Sequence, residues 1–117
     1  MACDTSNEVS QDLRERKIII IMLERQVEKY FKEQVENTSS YCLKFTSPGT
    51  RGVPDRIVVS DRGIFFVELK RPKGGRLSPW QRRWRKKFRD LGHEVIVVHN
   101  KEEVDDFVDR YLAWLSV

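Results

Sequence analysis

The chain has 117 residues, a formal net charge of +4, 34% charged residues and 39% hydrophobic ones, enough for one highly solvated domain with a single modest core. Its apolar run Ile18–Leu23 falls far short of the ~20 residues a membrane span needs, and the polar start MACDTSNEVSQD lacks the basic and apolar regions of a secretory signal. Cys3 and Cys42 lie far apart without a CxxC or a histidine pair, which argues against a disulfide framework or a zinc site. A soluble protein of the cytoplasm or nucleoid is expected.

Residues 1–12 read as a flexible polar tail and residues 13–117 as one domain. From about Leu13 to Asn37, Ile19/Ile20, Leu23, Val27, Tyr30/Phe31 and Val35 recur at spacings of three and four, predicting a helix. YCLKFT (Tyr41–Thr46) alternates and is rich in strand formers, so it reads as a first strand. SPGTRGVP (Ser47–Pro54) packs two Gly and two Pro into a loop of restricted geometry. DRIVVS (Asp55–Ser60) and IFFVELK (Ile64–Lys70) flank DRG and predict a hairpin. RPKGGRLS follows as a basic loop. Ser78 is then a good N-cap, Pro79 suits the first helical position, and Gly92 ends a helix that runs to about Leu91. EVIVVH (Glu94–His99) reads as a short strand, and Val104, Phe107/Val108, Tyr111/Leu112 and Leu115 line one face of a closing helix. The order α-β-β-β-α-β-α predicts an α/β fold with a mixed four-stranded sheet flanked by helices.

Charge is distributed unevenly. Between Lys70 and Arg89, ten of twenty residues are basic and none is acidic, while the rest of the chain carries a net −6. One basic block on an otherwise acidic protein is the footprint of a polyanion-binding surface; a merely solvated helix face is the plainer alternative.

The end of IFFVELK poses the chemical question. Glu68 and Lys70 project to the same side of their strand. With a two-residue loop at Asp61-Arg62, Asp55 lies opposite Glu68 and the two carboxylates converge. A three-residue loop with Gly63 in a bulge slips the register by one and sends them to opposite faces. Converging carboxylates repel unless a cation lies between them, and Mg²⁺ accepts such oxygen ligands together with waters and phosphate. With Lys70 beside them, the groups fit phosphodiester cleavage. The bland reading of Glu68 and Lys70 is a surface ion pair.

Pro54-Asp55 followed by Glu68-Leu69-Lys70 resembles the PD-(D/E)xK nuclease pattern. With LERQVEKYF, KFTSPGTRGVPDRIVV, FVELKRPKGGRLSPWQRRW and LGHEVIVV, the stretch from Leu23 to Phe107 resembles the VRR-NUC family of that superfamily. The resemblance implies a restriction-endonuclease-like αβββαβ core and an Mg²⁺- or Mn²⁺-dependent DNA endonuclease. By the same resemblance, Asp55 and Glu68 are metal-binding carboxylates, with the Leu69 carbonyl a further ligand, and Lys70 is the catalytic lysine. Glu24 is the first-helix glutamate that reaches the metal directly or through water, with Glu28 one turn on as its alternate; Gln81 helps organise the site, and Gly52 and Pro54 set up Asp55. Stand-alone members are similar to homodimeric resolvases of four-way (Holliday) junctions, with flap or other branched DNA as the alternative substrate. A catalytically silent nucleic-acid-binding module and a small protein-interaction domain are the alternative classes.

Arg51, Arg71, Lys73, Arg76, Arg82, Arg83, Arg85 and Lys86 are the candidate phosphate contacts. Nothing in the sequence resembles a recognition helix or zinc finger that would read bases, so selection by DNA structure is expected. Leu77, Trp80, Trp84, Phe88 and Leu91 read as a core stripe with Gln81 at its border; tryptophans that stack on bases are the alternative. His93 and His99 read as structural or exposed.

Overall fold

The first helix, α1 (Thr5–Glu36), is 32 residues long. The computed structural model describes residues 5–72 and 74–112, with side chains described from residue 12 onward. The segment read as a tail through Asp12 is thus helical from Thr5. Residues 1–36 contain neither Gly nor Pro, and each residue added to an existing helix gains a hydrogen bond without repeating the cost of nucleation. Exposed i,i+4 pairs such as Asp12–Arg16 (3.1 Å) sit along its flank.

The sheet has the order β1-β2-β3-β4. Strands β1 (Tyr41–Lys44), β2 (Arg56–Ser60) and β3 (Gly63–Leu69) form an antiparallel meander. After α2 (Pro79–Asp90), β4 (Val95–Val98) returns parallel to β3. The mixed α/β sheet expected from the sequence is the observed one. Helix α3 (Lys101–Phe107) is capped by Asn100, whose side chain accepts from the Glu103 N–H, and continues as a π-helical turn, Val108–Leu112. The remainder of the expected closing helix, with Leu115, lies outside the described residues.

The hairpin settles the register. Its loop is Asp61-Arg62, with Ser60 opposite Gly63 and Arg56 opposite Val67. Ser60 Oγ accepts from the Arg62 N–H (3.1 Å) and donates to the Gly63 carbonyl (3.0 Å), while Gly63 takes φ 136°, where only glycine is at ease. One step beyond Arg56 and Val67, the same count sets Asp55 against Glu68.

Alternation divides the sheet into two faces. Cys42, Val58, Val67 and Val98 are buried against Val27, Phe31 and Val35 of α1 and against Val104 and Phe107 of α3. These are the three-to-four spacings seen in the sequence. Full burial of each large apolar side chain contributes about 1.5–3 kcal/mol. The other face carries Phe66, whose ring meets Phe88 of α2 at 4.8 Å and Phe45 at 6.4 Å. This second layer is thin, and α2 contains no buried residue. The expected core stripe on α2 is therefore corrected: Trp84 and Phe88 are half-buried, whereas Trp80 and Leu91 are exposed. A single helix laid over β3 and β4 leaves most of its own circumference in water.

Candidate active site

The cleft lies where β2 begins, β3 ends and α2 starts. Glu68 is the last inward residue of β3 on the face that α2 covers, and its side chain is only 2% exposed. A buried carboxylate costs several kcal/mol unless it is paired and hydrogen-bonded. Here Gln81 Nε2 donates to Glu68 Oε1 at 2.7 Å, and Lys70 Nζ lies 3.9 Å from the same oxygen. Burial raises the Glu68 pKa most, and the neighbouring Asp55 carboxyl raises it further. Lys70 pulls the other way, and the outcome is about 8, against an ordinary 4.5. Protein groups alone leave this carboxylate short of positive charge.

Asp55 is fixed through its backbone and its side chain. Its carbonyl accepts from the Phe45 N–H (2.8 Å), extending the β1–β2 ladder, and its Oδ2 accepts from the Leu69 N–H (3.0 Å). Pro54 is buried just before it. The loop that delivers Asp55 is pressed onto α2 at Gly52, which has φ +85°. A Cβ there would stand 2.4 Å from the Trp80 carbonyl carbon and 2.7 Å from the Gln81 nitrogen. Only a glycine lets this loop and the start of α2 meet.

Gln81 has a second task. Its Oε1 accepts from the Ser78 N–H (2.8 Å), while its own N–H donates to Ser78 Oγ (3.2 Å), completing a capping box. Because Oε1 is engaged at the helix cap, the amide NH₂ is the end that faces Glu68. Helix capping and carboxylate orientation are thus the work of one side chain. The S-x-x-Q spacing of Ser78–Gln81 carries that signal in the sequence, where only the N-cap was read.

A cleft of about 410 Å³ is lined by Glu24, Glu28, Asp55, Glu68, Leu69, Lys70, Arg71, Gly74, Gly75, Arg76 and Gln81. Both first-helix glutamates, one turn apart, therefore reach it. Of the expected phosphate contacts, Arg71 and Arg76 line the cleft. Arg51, Arg82, Arg83 and Lys86 are exposed outside it, and Lys73 lies outside the described residues. Arg85 turns to a separate groove with Glu94, Glu103 and Asp106. Sequence reading placed Gly74 and Gly75 in a basic loop without giving them a role. Arg71 Nη2 donates to the Gly74 carbonyl (3.2 Å), and a Cβ on Gly75 would stand 2.6 Å from the Arg71 carbonyl oxygen. The paired glycines of KRPKGGR mark that tight turn.

Residues 21–102 match the VRR-NUC domain family. The chain belongs to the VRR-NUC family. A relative from Acyrthosiphon pisum secondary endosymbiont phage 1, named "Putative nuclease p44", is 40% identical over 83 residues, spanning 70% of this chain and 88% of that protein. A solved structure of a VRR-NUC domain is 36% identical, covers 75% of this chain and 96% of its own, and superposes with a TM-score of 0.70. The cleft therefore belongs to a nuclease domain.

The donor set also bears on a metal. Glu24, Glu28, Asp55 and Glu68 line the cleft, yet among the described residues no three His, Cys, Asp or Glu side chains come close enough together to hold a metal ion unaided. Two carboxylates and the adjacent Leu69 carbonyl fit a hard divalent cation that keeps waters and phosphate oxygens as its other ligands. The charge deficit at Glu68 is of the kind such an ion relieves.

Proposed function

We propose that this VRR-NUC protein is an Mg²⁺- or Mn²⁺-dependent DNA endonuclease that selects branched structure, with the four-way junction as its preferred substrate and a homodimer as its working form. The carrying observation is the buried Glu68 carboxylate, gripped by Gln81 beside Lys70 and Asp55 at the floor of a polar cleft.

Asp55, Glu68 and the Leu69 carbonyl, with Glu24 directly or through water, would hold the cation, which would polarise the scissile phosphate and activate a water for attack. Gln81 keeps the Glu68 carboxylate aimed into the cleft. Lys70 Nζ supplies a hydrogen-bonding positive charge to the attacking water or to a phosphate oxygen. Arg71 and Arg76 bind the flanking backbone. Water oxygen adds to phosphorus as the P–O bond to the sugar breaks, and the proton passes to the leaving oxygen. Exposed Ile18, Ile19, Ile21 and Met22 on α1, with Tyr41, Leu43 and Ile64 on the sheet, give a second copy apolar surface to cover.

The test offers a labelled four-way junction and a linear duplex to wild type and Glu68→Gln, with Mg²⁺, Mn²⁺ or EDTA. Paired cuts in the junction are expected, abolished by EDTA and lowered more than about a hundredfold in Glu68→Gln, since groups that merely support a metal ligand cost about 10–100-fold. Cutting of both substrates alike removes the junction preference. Binding without cutting in any metal makes the protein a nucleic-acid-binding module.

A further inference from the structure

Trp80 stands out from the rest of α2. Tryptophan is highly buried on average, yet this one is 46% exposed at the end of the helix that touches the active site. Trp84, one turn on, is half-buried and meets the Phe88 ring edge-on at 6.1 Å. Among the described residues, the Trp80 ring meets no other ring, and one of its faces is taken by the Arg83 guanidinium at 5.0 Å. Arg83 sits in a stretch, Lys70–Arg89, that has no acidic residue to pair with it.

The backbone beneath the ring is rigid. The Ser78–Gln81 capping box and Pro79 fix the first turn, and Gly52 packs against the Trp80 carbonyl more closely than any side chain permits. The next residue, Gln81, holds Glu68. A large, flat, exposed aromatic ring with a cation on it is thus held one residue from the group that orients the candidate metal ligand.

We propose that Trp80 and Arg83 form a platform that stacks an unpaired nucleotide of the DNA beside the cleft, base on indole and phosphate on guanidinium. The inference rests on the nuclease reading of the cleft and supplies its source of structural selectivity. In a continuous duplex both faces of every base are already stacked. An indole gains an unpaired base only at a flap or an opened branch point. Stacking is indifferent to base identity, in keeping with a sequence in which nothing resembles a recognition helix or zinc finger.

The experiment measures binding by fluorescence anisotropy in the Glu68→Gln background, so that nothing is cut. Its probes are a four-way junction, a flap with an unpaired arm and a flush linear duplex. Trp80→Ala is expected to lower the branched-to-duplex affinity ratio about 5- to 150-fold, and Trp80→Phe to restore most of it. With 2-aminopurine at the unpaired position, Trp80 is expected to quench its emission and Trp80→Ala to release it. An unchanged ratio, or emission indifferent to Trp80, overturns the platform. So does a change in molecular mass on Trp80→Ala, which would assign the ring to a second copy of the chain. Wild type that cuts no DNA refutes the nuclease reading alone, since stacking is read from binding and quenching.

Discussion

Glu68 shows how a single side chain links folding to chemistry. Its carboxyl is raised to about 8 in the folded chain, chiefly by burial and then by Asp55, whereas an unfolded Glu titrates near its ordinary 4.5. Between those values the folded state binds more protons than the unfolded one, so stability falls as pH rises through that window and levels off above it. Metal-free protein melted in EDTA should therefore show a Tm that declines from pH 5 to pH 8. Glu68→Gln should flatten the decline, and Mg²⁺ should restore the wild-type Tm most strongly at the alkaline end. Gln81→Leu removes one arm of the capping box together with the donor to Glu68. A loss of about 1 kcal/mol in urea unfolding is expected alongside a roughly 10–100-fold fall in cleavage or metal affinity. The second effect separates a role at Glu68 from one confined to the helix end.

At the scale of elements, the site is a junction of three termini, and each is pinned by a local device. The two-residue hairpin fixes the register that sets Asp55 opposite Glu68. The capping box fixes the first turn of α2. Gly52 lets the loop before Asp55 touch that turn. Gly52→Ala is expected to cost at least about 3 kcal/mol, because the positive φ alone costs about 1–3 kcal/mol in a non-glycine residue and a backbone clash adds to it. Cleavage should be lost as Asp55 and Gln81 move apart. Gly92→Ala is the matched control: its φ is +86°, but nothing lies within 4 Å of the added Cβ. A loss of about 1–3 kcal/mol of stability with full activity is expected there, read by urea unfolding and by initial cleavage rates.

For the molecule as a whole, apolar surface is left exposed along one stretch of α1. Ile18 (57% exposed) and Met22 (53%) lie on a stretch of α1 that projects beyond the core residues Val27, Phe31 and Val35. Apolar residues on all sides of a helix are ordinarily covered on all sides. If a second copy covers them, light scattering after gel filtration should give twice the mass of the 13.9 kDa chain, and Ile21→Glu should return it to one. Cleavage of the junction should then lose its paired character, because two strands need two sites. An unchanged mass in Ile21→Glu would remove α1 from the interface.

The sequence by itself determined the elements and their order, because helical and strand periodicity, Ser78, Gly92 and the Asp61-Arg62 turn are local signals. It also carried the Asp55, Glu68, Leu69 and Lys70 set, since strand alternation places Glu68 and Lys70 on one side and a nuclease motif names the rest. It did not determine the start of α1 at Thr5, where helix propagation carried order through a segment composed like a tail. Only tertiary structure decided between the two hairpin registers, because both loops are compatible with Gly63. The same holds for which aromatic residues of α2 are core: Trp80 and Trp84 share one helical spacing, and what separates them is how far a single helix reaches across the sheet. That Gln81 helps organise the site was implied by the resemblance, but its partner was settled in three dimensions, for a hydrogen bond to Glu68, thirteen residues away, exists only once β3 and α2 have docked.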